Sequence, residues 1–250
     1  MSVRPIALIT GASAGIGESF ARYLAEHGHD LVIVARDQAR LRERADRWQS
    51  SYGVAVEVLP ADLATSEGMN SVENRLKDRS KPIEVLINNA GFGINKSFLA
   101  STIDDENSLL EVLVKAPMRF MHAVLPLMKE RNSGTIINVS SVAGWIAGGT
   151  YSAAKSYLTV LTESLHTELR ETNIHVHALC PGFTRTEFHQ RGRMRMTGLP
   201  EFMWLAADDV VDAAWRASQA GEVLSVPGFQ YKVLSSISRF GPRDRKSTRL

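Results

Sequence analysis

Thr10-Gly11-Ala12-Ser13-Ala14-Gly15-Ile16-Gly17 is the stretch on which the reading of this 250-residue chain turns. Residues 3–9 before it form an apolar run, the pattern of a buried strand, and from about 16 to 27 the apolar positions recur at helical spacing. A strand, a glycine loop and a helix, in that order, give the glycines a meaning. The start of a helix leaves backbone N–H groups unpaired, and these attract an anion such as a phosphate. Gly11 permits the tight turn, Gly15 lets the backbone approach a pyrophosphate, and Gly17 allows the helix to pack close to the strand. Ser13 and Ile16 belong to the same loop.

Working outward, further buried strands are expected at 30–35, 54–59, 83–87, 135–139, 174–179 and 223–226. Helical patterns lie between and after them, at 38–48, 102–131, 151–171, 208–220 and 229–240. Thr102 and Asp105 have the spacing of a capping box, Pro117 should kink the helix it interrupts, and Asp208 reads as a helix cap. Alternating strands and helices without a linker or repeat predict one α/β domain over residues 1–241, with a doubly wound parallel sheet. Residues 187–206 differ in being rich in arginine and methionine, and a loop of that length suits a substrate lid. The polar, basic residues 242–250 read as a disordered tail.

In a dinucleotide fold the end of the second strand selects the cofactor. A carboxylate there binds the adenosine ribose hydroxyls, whereas an arginine accommodates a 2′-phosphate. Ala35 and Arg36 stand at that tip, and Asp37, one step on, reads as a helix N-cap. The pair favours NADP. Asp62 and Leu63 follow the third strand, where Asp62 can accept from an adenine amino group or cap a helix. Asn88, Ala90 and Gly91 follow the fourth, where small and amide residues suit close contact with a cofactor. Asn88 can also tie neighbouring strands together.

A second motif runs from Asn138 to Lys155. Ser140 and Ser141 end a strand, a glycine-rich turn follows, and Tyr151 and Lys155 open a helix. Residues four apart share a helix face, so an ammonium stands beneath the phenol and should lower its pKa toward neutrality. A tyrosine tuned that way gives or takes a proton at pH 7. A serine hydroxyl from the strand end would hydrogen-bond a substrate oxygen as charge develops on it. Strand alternation points the two serines to opposite faces, so only one can serve.

Composition narrows the class. The formal net charge of +2 gives no reason to expect nucleic acid as a partner, and no apolar run is long enough to span a membrane. The single cysteine, Cys180, forbids an internal disulfide and fits a reducing compartment, so a cytoplasmic location is expected. The seven histidines form no metal-ligand pattern, and no metal is expected.

Taken together, Thr10-Gly-x-x-x-Gly-Ile-Gly17, Asn88-Asn-Ala-Gly91, the Ser140-Ser141 strand end, Tyr151-x-x-x-Lys155 and Pro181-Gly182 with Thr186 resemble the short-chain dehydrogenase/reductase family over nearly the whole chain. The resemblance implies a seven-stranded Rossmann-type sheet and NADP-dependent hydride transfer between a carbonyl and an alcohol. It also implies that Tyr151 is the general acid/base and that Lys155 holds the nicotinamide ribose and lowers the Tyr pKa. Ser141 would polarise the substrate oxygen, with Ser140 left open. Pro181, Gly182 and Thr186 join the cofactor site by the same likeness, and homodimers or homotetramers are its usual assemblies. The substrate is expected to be a small, hydrophobic carbonyl or alcohol.

Two departures stand out. Leu113 occupies the place where the family carries an asparagine that helps hold a water in the proton relay to the lysine. A leucine side chain cannot hydrogen-bond, which leaves the backbone carbonyl at 113 for that purpose. The ten residues from Ser141 to Tyr151 are fewer than is usual for the family. Leu113 motivates the alternative of a dinucleotide-binding sensor or scaffold with little turnover. Thr248-Arg249-Leu250 suggests a third reading, a tail that docks to an edge-strand-binding partner domain.

Overall fold

The computed structural model describes residues 4–188 and 198–240. Its strands are β1 (Ile6–Thr10), β2 (Asp30–Ala35), β3 (Val56–Pro60), β4 (Ile83–Asn88), β5 (Gly134–Val139), β6 (Ile174–Leu179) and β7 (Leu224–Ser225). They form one parallel sheet in the order β3-β2-β1-β4-β5-β6-β7. The helices are α1 (Gly15–Glu26), α2 (Gln38–Tyr52), α3 (Ser66–Leu76), α4 (Ile103–Leu110), α5 (Ala116–Arg131), α6 (Gly149–Glu168), α7 (Ala207–Gln219) and α8 (Phe229–Phe240). The tail at 242–250 lies outside the described residues, as do Arg191, Arg193, Met194, Arg195 and Met196 of the expected lid.

Both faces of the sheet are covered, which is why its strands read as nearly continuous apolar runs. Alternate residues feed two cores. Leu8, Val32, Val34, Leu86 and Ile136 pack with α3–α6 through Val72, Leu113, Phe120 and Leu158. Ala7, Ile9, Ile33, Val85 and Ile137 pack with α1, α2 and α7 through Phe20, Leu41, Trp48 and Val211. Each such fully buried side chain contributes roughly 1.5–3 kcal/mol.

Two local expectations change. Asp208 is not a cap: Ala206 occupies the N-cap of α7, and Asp208 sits in the first turn, where it pairs with Arg22. Its charge is favourable there because it faces the positive end of the helix. The single kinked helix expected at 102–131 is two helices joined by a π-helical turn, Glu111–Lys115, in which Ala116 N–H reaches back to Glu111 O. Pro117 has no N–H for the Leu113 carbonyl, and its ring would crowd that carbonyl in a regular helix. The chain widens by one π turn just before the proline, which then falls in the first turn of α5. The Thr102–Asp105 capping box forms as the spacing suggests.

Sheet order places the site. The chain turns back between β1 and β4, so the carboxyl ends of those strands open a crevice, continued by β5 and β6. Thr10, Asn88 and Val139 stand at that edge.

Candidate functional site

The glycine loop is built for close approach. No side chain caps α1: its N-cap is Ala14, which has no side-chain acceptor, so the first-turn N–H groups have no side-chain partner. Gly17 has no room for a side chain, since a Cβ there would lie 2.4 Å from Gly11 O and 2.3 Å from Asn89 Nδ2. Asn89 holds the loop: its Nδ2 donates to Thr10 O at 2.9 Å and its backbone N–H to Thr10 Oγ1 at 3.0 Å. Ser13 is buried and Ile16 half-buried beside it. Across the loop lies Thr186, close enough that a Cβ on Gly15 would come within 2.9 Å of it.

Thr186 belongs to a strap that starts at Pro181. At Gly182 a Cβ would fall 2.1 Å from Tyr231 Cζ, so only glycine fits against α8. The Tyr231 hydroxyl accepts from Phe183 N–H at 3.0 Å and donates to Met203 O at 2.6 Å. The described end of the lid returns beside the strap, with Leu205 N–H bonded to Phe183 O and Arg185 N–H to Leu205 O. Phe188 reaches Tyr151, their ring centroids 6.0 Å apart.

At the tip of β2, Arg36 is exposed and makes no hydrogen bond or ion pair among the described residues, while Asp37 caps α2 by accepting from Arg40 N–H at 3.0 Å. Arg40 makes a two-pronged ion pair with Glu187 of the strap. Asp62 Oδ1 accepts from Ala64 N–H at 3.0 Å, so one carboxylate oxygen shapes its own turn, and Thr65 rather than Asp62 caps α3. Leu63 is buried below. Ala90 and Gly91 line the crevice edge, where Ala90 N–H donates to Thr10 Oγ1. Asn88 is inside: its Nδ2 donates to Asn138 Oδ1 at 2.8 Å, tying β4 to β5.

The two serines separate as alternation requires. Ser140 is buried and donates to the carbonyl of Lys155 at 2.8 Å, with Thr159 Oγ1 2.7 Å away. Ser141 faces the crevice; its Oγ accepts from Ala143 N–H at 3.1 Å and lies within hydrogen-bonding reach of the Tyr151 phenol. Lys155 Nζ donates to Val139 O at 2.7 Å and stands 5.7 Å from the Tyr151 ring centre. Ser141, Tyr151 and Lys155 therefore converge at the end of β5.

The electrostatics differ from the sequence-based expectation. Burial pushes the Tyr151 phenol up to about 12, with the Ser141 hydroxyl pulling the other way. Burial also brings Lys155 down to about 8. The ammonium spends one proton on the Val139 carbonyl, and taking both groups out of water outweighs its pull on the phenol. Tyr151 of the chain alone is thus a held proton at pH 7, an acid in waiting rather than a phenolate.

Below the triad, Leu113 is 1% exposed. With Thr10, Asn88, Pro117 and Lys155 it lines a cavity of about 10 Å³. Among the described residues, no three His, Cys, Asp or Glu side chains gather to hold a metal, and no helix is long and apolar enough to cross a membrane.

A glycine loop at a helix start beside a Ser–Tyr–Lys cluster is the arrangement expected of a nicotinamide-dependent oxidoreductase. Comparison with known proteins gives the family. The family model described as short chain dehydrogenase matches residues 5–196, and this chain belongs to that family. It is similar to a short-chain dehydrogenase from Sphingobium yanoikuyae solved with NADPH (36% identity, TM-score 0.86, 94% of each chain covered). It is also similar to a bulky-bulky ketone specific alcohol dehydrogenase from Comamonas testosteroni (31% identity, TM-score 0.83, 95% of this chain and 93% of that one). An NADP-dependent 3-hydroxy acid dehydrogenase of Schizosaccharomyces pombe is 35% identical over 186 residues, 72% of each chain. The fold is Rossmann-like, and the general activity is NAD(P)-dependent oxidoreduction.

Sequence reasoning missed Arg40 and Asn89. Arg40 lies in the first turn of α2, just past the β2 tip, a place that could have flagged it. Asn89 was hidden by being adjacent to Asn88, with the opposite orientation that strand alternation gives neighbours.

Proposed function

We propose that this chain is an NADP(H)-dependent reductase of carbonyl compounds, or the reverse alcohol dehydrogenase, with Tyr151 as general acid/base. The observation that carries the reading is the convergence of Tyr151, Ser141 and Lys155 on the crevice edge. A nicotinamide held in this crevice would supply or take the hydride. In reduction Tyr151 gives its proton to the substrate oxygen, which Ser141 holds by a hydrogen bond as charge builds on it. Lys155, fixed by Val139 O, orients the nicotinamide ribose. The uncapped start of α1 and the bare glycines suit the pyrophosphate, with Ser13, Ile16, Leu63, Ala90, Gly91 and the strap at Pro181, Gly182 and Thr186 around the rest. The apolar Phe183, Phe188 and Trp204 beside the site suit a hydrophobic substrate. A soluble enzyme of the cytoplasm is consistent with Cys180 being a buried thiol outside any disulfide. Oxidation of NADPH across a panel of ketones and aldehydes tests the activity; tight binding without turnover on any of them would favour the sensor reading.

Arg36 supports NADP over NAD, because an exposed guanidinium at the β2 tip, without a partner among the described residues, is available to a 2′-phosphate. A charge-assisted bond of that kind is worth roughly 1.5–3 kcal/mol. Arg36→Ala should therefore remove most of a preference of about 10- to 100-fold for NADPH over NADH. Equal affinities in the unmodified chain would rule out this assignment.

The same reading includes a homo-oligomer. Ile103 (72% exposed) on α4, Met118 on α5, and Tyr157 and Val160 (59% exposed) on α6 leave apolar side chains in water on neighbouring helices. A second copy would cover them. Light scattering at micromolar concentration should give at least twice the chain mass; a monomer would contradict this.

A further inference from the structure

Leu113 takes away a hydrogen-bonding side chain, yet another residue lining the same cavity, Asn88, carries an acceptor without a partner. A sequence of hydrogen bonds fixes which end of Asn88 this is. Thr162 Oγ1 gives its one proton to Leu158 O at 2.6 Å, so it accepts from Asn138 Nδ2 at 2.8 Å. Asn138 Oδ1 therefore faces Asn88 and accepts from its Nδ2 at 2.8 Å. That leaves Asn88 Oδ1, buried and without a hydrogen-bond partner. The residue is 5% exposed, so bulk water does not supply the bond. An orphaned buried acceptor is costly unless something fills the role.

Asn88 lines the cavity of about 10 Å³ together with Lys155, Leu113 and Pro117. A space of that size is near the lower limit for one water, which also needs two to four polar partners. Asn88 and Lys155, both lining residues, bring such groups. Lys155 Nζ spends one N–H on Val139 O and has others to give. Asn88 Oδ1 accepts. Pro117 brings no N–H to the Leu113 carbonyl, and both residues line the same cavity.

We propose that Asn88 is a positioning residue that holds a water against Lys155, in place of the side chain that Leu113 lacks. The water donates to Asn88 Oδ1 and accepts from Lys155 Nζ. In each reductive turnover one proton leaves Tyr151 for the product oxygen. An equal proton passes to the Tyr151 side from Lys155, and the water returns one to Lys155 from solvent, so the protein ends unchanged. The lowered pKa of Lys155, about 8, suits a group that must both lose and regain a proton near neutrality. The relay rests on the catalytic reading above, whereas the water site itself does not.

Two measurements test it. A crystal structure of the unmodified chain, at a resolution that shows other buried waters, should hold a water within hydrogen-bond distance of both Asn88 Oδ1 and Lys155 Nζ. An empty or apolar-filled cavity overturns the proposal, and this readout stands even if an Asn88 variant does not fold. In kinetics, Asn88→Ala should lower kcat about tenfold, part of what proton transfer can contribute, and raise its solvent isotope effect while the NADPH Kd stays nearly constant. The double variant Asn88→Ala/Leu113→Asn, which returns a carboxamide from the helix side of the same cavity, should recover most of the loss. Unchanged kcat, or a loss with no change in isotope effect and no recovery in the double variant, means that Asn88 only ties the strands and overturns the relay. Turnover surviving in Tyr151→Phe would instead count against the catalytic reading and leave the crystallographic water untouched.

Discussion

Tyr151→Phe is expected to lower kcat by about 10²–10⁴-fold, the range that a positioned acid or base contributes. The reason lies in what the substitution leaves alone. Phenylalanine keeps the ring that meets Phe188 and removes one hydroxyl. The proposed cradle for the dinucleotide is made by other segments, chiefly the loop at Gly11–Gly17 and the strap at Thr186, so NADPH affinity should change by less than about threefold, under 1 kcal/mol. A loss in kcat without a loss of binding marks an interaction made in the transition state. Burial that holds the Tyr151 proton to about 12 fits this role in reduction, because the acid is fully loaded at pH 7. Isothermal titration with NADPH beside steady-state kinetics decides it. If Tyr151→Phe retains turnover on a substrate the unmodified chain reduces, the proton comes from elsewhere and the catalytic assignment fails.

Much of the fold was legible because its signals are local. Apolar runs bounded by Gly, Pro and polar residues marked every strand in the sheet, and the order of the motifs placed the crevice at the strand ends. The glycine loop was readable for the same reason, since the strand before it and the helix after it lie within a few residues. The Tyr151–Lys155 pairing needed only the helical repeat. Other features depend on distant parts of the chain and left no local trace. The direction of the Tyr151 shift is set by its burial against the Ser141 contact, which periodicity does not encode. The free oxygen of Asn88 is determined by a chain of bonds through Asn138 and Thr162, residues 50 and then 24 positions apart in sequence. Arg40 acquires its partner 147 residues away, in Glu187. The π turn is an intermediate case. Pro117 announced an interruption, but whether the helix bends or widens depends on what packs against Leu113.

Lys155→Met is expected to destroy activity and, at neutral pH, to make the unliganded protein more stable. In the unfolded chain Lys155 titrates near its ordinary 10.5, and in the folded chain burial lowers it to about 8. The folded state therefore binds fewer protons than the unfolded state between those two values. Stability rises with pH across that window. Below about pH 8 the full penalty of a buried ammonium is present, on the order of 3 kcal/mol from the size of the shift. Methionine removes the charge but strands the Val139 carbonyl, which costs about 1–3 kcal/mol. At pH 7 the variant should gain up to about 2 kcal/mol, or several degrees in Tm for a chain of this size. By about pH 10 the unmodified protein has shed most of its penalty, so the variant's advantage should vanish or reverse. Other titrating groups are common to both proteins and cancel in the difference. Urea unfolding of the pair at pH 7 and pH 10 measures the change directly. A stability difference that does not move with pH would show that Lys155 is not a desolvated charge. The site would then lack the feature that suits Lys155 to exchange protons near neutrality.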